Sequence, residues 1–209
     1  MIRLVSYIYP ISKKIKSLHN GMLKIIWFNG KKMLDSKNTN YSYGSLEKIL
    51  KIGVAKFDVL SFKNILVLGL GGGSIIKVLR DECLYKEHIT ALDIDPIIIK
   101  IAEEEFDIKS TKKLKIVCED AYDFILKNKV EYDFIIIDLF IDNSIPDPFF
   151  SVKFWEQIAN TKQLLFNASL HQKNEKQLKK LNIFLNEKGF TVTQMNNVLK
   201  TNTLLIIKK

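Results

Sequence analysis

Only two of the 32 basic residues are arginine, Arg3 and Arg80, and only two cysteines, Cys83 and Cys118, occur in the 209-residue chain. So little arginine leaves few groups able to grip a phosphate or a guanine through two parallel hydrogen bonds. The formal net charge of +9 therefore does not by itself point to nucleic acid. Neither cysteine has a C-x-x-C partner or a nearby histidine pair, which argues against a disulfide framework and against structural zinc. Long apolar runs are missing too: Phe134 to Phe140 reaches only strand length, too short to cross a bilayer. The first residues lack the charged, apolar and small-residue order of a signal peptide. A cytoplasmic protein with no membrane span and no metal is expected.

What is present is ordinary for a globular chain: 47% hydrophobic and 26% charged residues, enough for one main domain with a small appendage. Residues 1 to 40 hold eight basic residues (Arg3, Lys13, Lys14, Lys16, Lys24, Lys31, Lys32, Lys37) against one acid, Asp35. This local excess reads as a solvated face or a subunit contact, and nucleic acid is not the expected partner.

Gly21 to Asp35 reads as two strands joined by Asn29-Gly30, a dipeptide suited to the positive φ angles of a type I′ hairpin turn. Its apolar Ile25, Trp27 and Phe28 are expected to serve a homodimer contact. Ser45 to Phe57 carries apolar residues at helical spacing. Residues 1–57 form the expected N-terminal extension, and 58–209 the main domain. From Asn64 onward, short apolar runs alternate with helical segments, the pattern of a parallel sheet wrapped by helices. Expected strands are Ile65 to Gly69, Ile89 to Asp93, Leu114 to Cys118, Phe134 to Leu139 and Gln163 to Asn167. Expected helices are Ser74 to Asp81, Pro96 to Phe106, Ala121 to Asn128 and Val152 to Ala159. A helix from Asn174 to Lys188 and closing strands Thr191 to Met195 and Thr203 to Lys208 complete a Rossmann-like, doubly wound, mostly parallel α/β sheet with a closing antiparallel strand.

The first strand runs into Gly69-Leu70-Gly71-Gly72-Gly73-Ser74. Glycines allow the tight turn and a close backbone approach, and the following helix offers free N–H groups to a ligand. The second strand ends Leu92-Asp93-Ile94-Asp95-Pro96, with Asp93 24 residues after Gly69, where a carboxylate can accept both hydroxyls of a ribose. Asp95 before a proline suits a helix cap. The third strand ends Glu119-Asp120-Ala121, and Asp120 can accept a hydrogen bond from the exocyclic amine of adenine. A nicotinamide site would want a third glycine at Ser74 and nothing at Asp120, so the set favours a sulfonium nucleoside. Cofactor contacts are expected from Gly69, Gly71, Gly72, Gly73, Asp93, Ile94, Asp120 and Ala121. The fourth strand delivers Asp138 to the carboxyl edge of the sheet, where ligands of open α/β sheets bind.

These motifs, with the hairpin and Asn40-Tyr41-Ser42-Tyr43 before a helix, resemble the spermidine synthase-like group of the class I methyltransferase superfamily over roughly residues 21 to 170. The resemblance implies that Asp93 holds the ribose, Asp120 contacts adenine, Asp138 helps deprotonate an acceptor amine and Tyr43 lines the amine site. Three positions depart from the family pattern. Gly72 replaces an aspartate of the glycine loop, Gly44 stands where a glutamine follows the tyrosine, and Asp138 and Asp142 are one residue too far apart for D-x-x-D. A cationic donor tail and a diamine would lose compensating anions there. The expected activity is therefore alkyl transfer, with methyl transfer from S-adenosylmethionine ahead of aminopropyl transfer from its decarboxylated form to putrescine. The acceptor is expected to be a small molecule such as an amine. A nucleoside-binding scaffold without turnover is the third reading.

Overall fold

The computed structural model describes residues 2–36, 40–42, 44–141, 144–170 and 174–209. The expected Tyr43 and Asp142 lie outside the described residues.

A short helix α1 (Ile2–Val5) precedes four strands: β1 (Ile11–Lys16), β2 (Met22–Phe28), β3 (Lys31–Asp35) and β4 (Asn40–Ser42). They form one antiparallel sheet in chain order. The β2–β3 turn places Asn29 at φ 48° and Gly30 at φ 70°, as a type I′ turn requires. The hairpin foreseen from the sequence is thus the centre of a larger sheet. Strand β1 lacks an apolar alternation in sequence, because Lys13 sits between Ile11 and Ile15 on the face that alternation would make apolar. Its ammonium instead reaches Glu105, at 3.3 Å. Ile25, expected on a subunit contact, is buried together with Leu23 and Leu34. Of the three residues, Phe28 is exposed, while Trp27 is half-buried under the Lys32 ammonium, 4.6 Å from its ring centre.

Helix α2 (Ser45–Val54) stops three residues short of Phe57, whose ring turns in against Phe134, 4.4 Å between centroids. The large sheet follows: β5 (Asn64–Leu68), β6 (His88–Asp93), β7 (Leu114–Cys118), β8 (Phe134–Ile137), β9 (Gln163–Leu170), β10 (Thr191–Val198) and β11 (Asn202–Lys208). Their order is β10-β11-β9-β8-β5-β6-β7. The first five strands run parallel, and β11 lies antiparallel between β9 and β10. The strand order reverses at β5, so a crevice opens at the carboxyl ends of β5 and β8, the usual ligand site of such sheets.

Alternation along each strand builds two cores. Ile65, Val67, Ala91, Phe134, Ile136, Leu165, Leu204 and Ile206 face one layer, which also contains Leu23, Ile25 and Leu34 of the small sheet. Leu66, Leu68, Leu92, Ile135, Ile137, Phe166, Leu205 and Ile207 face the other. Helix α2 crosses the first layer so closely that a Cβ on Gly53 would meet Leu165, 2.7 Å away. The remaining helices are α3 (Ser74–Lys77), α4 (Pro96–Phe106), α5 (Ala121–Lys127), α6 (Val152–Ile158) and α7 (Glu175–Glu187). The helix expected to reach Asp81 is α-helical only to Lys77 and continues as a π-helical turn, Val78–Glu82. No described helix is long and apolar enough to cross a membrane.

Candidate active site

At the end of β5 the chain turns through Gly69, Gly71 and Gly73 with φ of 96°, 54° and 88°, a region that L side chains rarely adopt. Gly69 is obligatory on space as well: a Cβ there would run into the backbone carbonyl of Asp138. The ends of β5 and β8 are thereby brought together. The Leu92 carbonyl accepts from Gly69 N–H and Leu70 N–H at 3.1 and 2.7 Å, and the Leu68 carbonyl accepts from Asp138 N–H at 2.8 Å. Gly73 packs against Ile108.

Asp93, at the end of β6, is held by main-chain donors. Its Oδ2 accepts from Gly71 N–H at 3.0 Å and its Oδ1 from Asp95 N–H at 3.0 Å. Burial pushes its carboxyl up to about 6, against the pull of those two hydrogen bonds. Asp95 caps α4 through Oδ1, accepting from Ile97 N–H at 2.9 Å. Its Oδ2 accepts from the Ser17 hydroxyl and from Leu18 and His19 N–H, so the β1–β2 turn is tied to the start of α4. Burial favours the neutral form of Asp95, and these hydrogen bonds outweigh it, holding the carboxyl below its ordinary range. Asp120 caps α5, its Oδ1 accepting from Tyr122 and Asp123 N–H at 2.7 and 3.1 Å.

Asp138 follows β8. Its Oδ1 accepts from Asn167 Nδ2 at 2.8 Å, and burial pushes its carboxyl up to about 6 despite that bond. Asn167 Oδ1 in turn accepts from Asn202 Nδ2 at 2.8 Å, and Asn202 Oδ1 accepts from the Thr201 hydroxyl at 2.7 Å.

These groups surround one cavity of about 670 Å³. Gly69, Gly71, Asp93, Ile94, Asp120, Ala121 and Asp138 all line it, whereas Gly72 and Gly73 are not among its described lining residues. Four carboxylates, Asp93, Glu119, Asp120 and Asp138, face it, and no lysine or arginine is among its described lining residues. In a chain of net charge +9 this cavity is a local anionic site, suited to a cationic ligand. Asn20, Asn167, Thr201 and Asn202 also line it and were not singled out from the sequence. Nothing local marks them, because they come together only when β11 pairs with β9 and the β1–β2 turn docks on α4. Among the described residues no cluster of histidine, cysteine and carboxylate side chains could hold a metal ion.

A sheet of this strand order, with a glycine turn and an acid at each of the next three strand ends, defines a class I methyltransferase-type fold. Human methyltransferase-like protein 13, solved in complex with SAH, shares it with a TM-score of 0.63 at 21% identity, over 79% of this chain and 82% of that one. The chain belongs to the spermine/spermidine synthase domain family, whose match spans residues 47–206. It is 30% identical over 132 residues to the eEF1A lysine and N-terminal methyltransferase homolog of Drosophila melanogaster, covering 57% of this chain and 19% of that protein. It is 33% identical over 112 residues to the polyamine aminopropyltransferase of Vibrio vulnificus, covering 52% of this chain and 36% of that protein. The matches thus cover about a fifth and about a third of those relatives' lengths.

Proposed function

We propose that the chain is an S-adenosylmethionine-dependent transferase that moves a methyl group to a small amine acceptor. The observation that carries this reading is the convergence of Asp93, Asp120 and Asp138 on one anionic cavity at the carboxyl edge of the sheet. The residues fit such a donor: the bare backbone of Gly69 and Gly71 permits close approach, and the carboxylates complement a sulfonium charge. Bound there, the donor supplies an already activated methyl carbon.

The protein's part is binding, positioning and one proton transfer. Asp93 accepts the ribose hydroxyls, Ile94 and Ala121 flank the base, and Asp120 accepts from the adenine amine. The bare turn at Gly69 and Gly71 leaves room for the methionine portion. Asp138 takes a proton from the acceptor ammonium, freeing the nitrogen lone pair. That lone pair would form the new C–N bond, and the electrons of the breaking S–C bond would go to the sulfonium sulfur, leaving a neutral thioether.

The family match and the polyamine aminopropyltransferase relative favour a second reading, aminopropyl transfer to putrescine. Gly72 weighs against it, because that loop position offers no anion for the donor's ammonium. Calorimetric titration with S-adenosylmethionine and with its decarboxylated form separates the two. Tighter binding of the intact amino acid supports methyl transfer, and tighter binding of the decarboxylated donor replaces it with aminopropyl transfer. If neither binds, the transferase reading falls.

A further inference from the structure

Asn167 and Asn202 stand where a sheet core would ordinarily carry leucine. Asn167 is 0% and Asn202 3% exposed, and their neighbours along the strands, Phe166, Ala168, Thr203 and Leu204, are all buried as well. A buried amide without partners costs about 1–3 kcal/mol, so two of them in a hydrophobic layer invite a role beyond packing. Their hydrogen bonds run in one direction. Asp138, as a carboxylate, can only accept, which turns Asn167 Nδ2 toward it at 2.8 Å. Asn167 Oδ1 is then left for Asn202 Nδ2, and Asn202 Oδ1 for the Thr201 hydroxyl. A flip of either amide would set oxygen against oxygen. The antiparallel ladder also shifts register here: Thr203 pairs with Ser169 and Leu204 with Asn167, which leaves Ala168 as the extra residue. Bulges of this kind re-aim side chains beside active sites.

We infer that Asn167, oriented by Asn202 and Thr201, is a positioning residue that holds one oxygen of Asp138 and so directs its carboxylate as the base for the acceptor. This rests on the transfer reading above for its chemistry, and on the hydrogen-bond chain alone for its geometry. Through it, the last strand of the sheet, far in sequence from the cofactor motifs, becomes part of the catalytic apparatus. The hydrogen bond also stabilises the ionised carboxyl against burial, keeping it competent to accept a proton. Among the described residues, the other titratable groups lining the cavity are Asp93 on β6, Glu119 and Asp120 after β7, and Tyr122 on α5.

The test is Asn167→Asp, which keeps the shape and the bond from Asn202 but replaces the donor by a second acid. The Asp138 carboxyl is followed by carbon-13 NMR in protein labelled at aspartate, and assigned by its absence in Asp138→Asn. Asn167→Asp is expected to move this titration to higher pH, shift the acid limb of kcat the same way and cut turnover about tenfold or more near neutrality. Donor affinity stays within about twofold, because Asn167 does not belong to the proposed donor contacts. Asn202→Ala, which leaves Asn167 in place without its orienting partner, shifts the titration in the same direction by less and serves if Asn167→Asp does not fold. An unmoved Asp138 titration in the folded variants overturns the inference. The NMR readout needs no turnover, so loss of the transferase reading and loss of this one are separately visible.

Discussion

Gly71 N–H donates to Asp93 Oδ2 at 3.0 Å, so the glycine turn and the proposed ribose acid are one preassembled unit rather than two loops that meet on a ligand. Asp93→Ala should remove both the ribose acceptor and the brace on the turn. Affinity for S-adenosylmethionine is expected to fall at least about thirtyfold, equivalent to about 2 kcal/mol. Titration calorimetry checks this, and a change of less than threefold would remove Asp93 from the donor site.

Asp138→Asn should abolish the base while keeping the cavity. Turnover is expected to drop by about a hundredfold, with donor affinity nearly unchanged. In the unmodified protein, kcat should fall on the acid side of a limb near 6, where the Asp138 carboxyl titrates. A pH profile flat from about 5 to 8 would contradict the role.

The same substitution should stabilise the fold. A carboxyl at about 6 rather than 3.8 binds its proton more tightly folded than unfolded. Stability is therefore present at low pH and lost as pH rises from about 4 through 6. At about pH 7.5 Asp138→Asn is expected to gain on the order of 2–3 kcal/mol over the parent, a gain that vanishes toward pH 4. Urea unfolding at the two pH values measures this, and an equal difference at both would refute it.

Gly69→Ala is expected to be severe. The residue sits at φ 96° and its Cβ would collide with the Asp138 carbonyl, so both the left-handed backbone and the junction of β5 with β8 resist any side chain. A loss of at least about 3 kcal/mol, or no soluble protein, is expected. A melting temperature within a few degrees of the parent would show that the strand ends can separate.

Much of this was legible beforehand because it is local. The parallel strands announce themselves as apolar runs, and Asp93, Asp120 and Asp138 each fall within two positions past such a run. The glycine turn is equally plain. What could not be read depends on pairing across the chain. Asn167 and Asn202 gain meaning only from a hydrogen bond between antiparallel strands 35 positions apart. Strand β1 was hidden because Lys13 satisfies its charge on Glu105 of a distant helix. Asp120 looked like a ligand contact alone, yet it also caps α5, and a lone acid after a strand does not announce that second duty.

Ser17→Ala tests the tie between the small sheet and α4. It deletes a buried hydroxyl donor to Asp95 and should cost about 1–2 kcal/mol of stability. Asn20, four residues from the end of β1, lines the cavity, so donor affinity should weaken about threefold or more as well. Thermal melts with and without donor report both quantities, and a stability loss with unchanged affinity would detach the turn from the site.

Helix α4 is braced at its two ends by the same small sheet. Asp95 grips the β1–β2 turn at one end, and at the other Lys32 donates to the Glu105 carboxylate and carbonyl at 2.8 and 2.7 Å. The helix behaves as a strut whose anchor points both lie outside the sheet that it covers. Because Ile94 lies just ahead of the strut and lines the cavity, the wall proposed to meet the cofactor base is braced through the first 35 residues. Fluctuations of that small sheet should therefore be transmitted to the donor's nucleoside end while bypassing Asp138, which is anchored through β9 and β11.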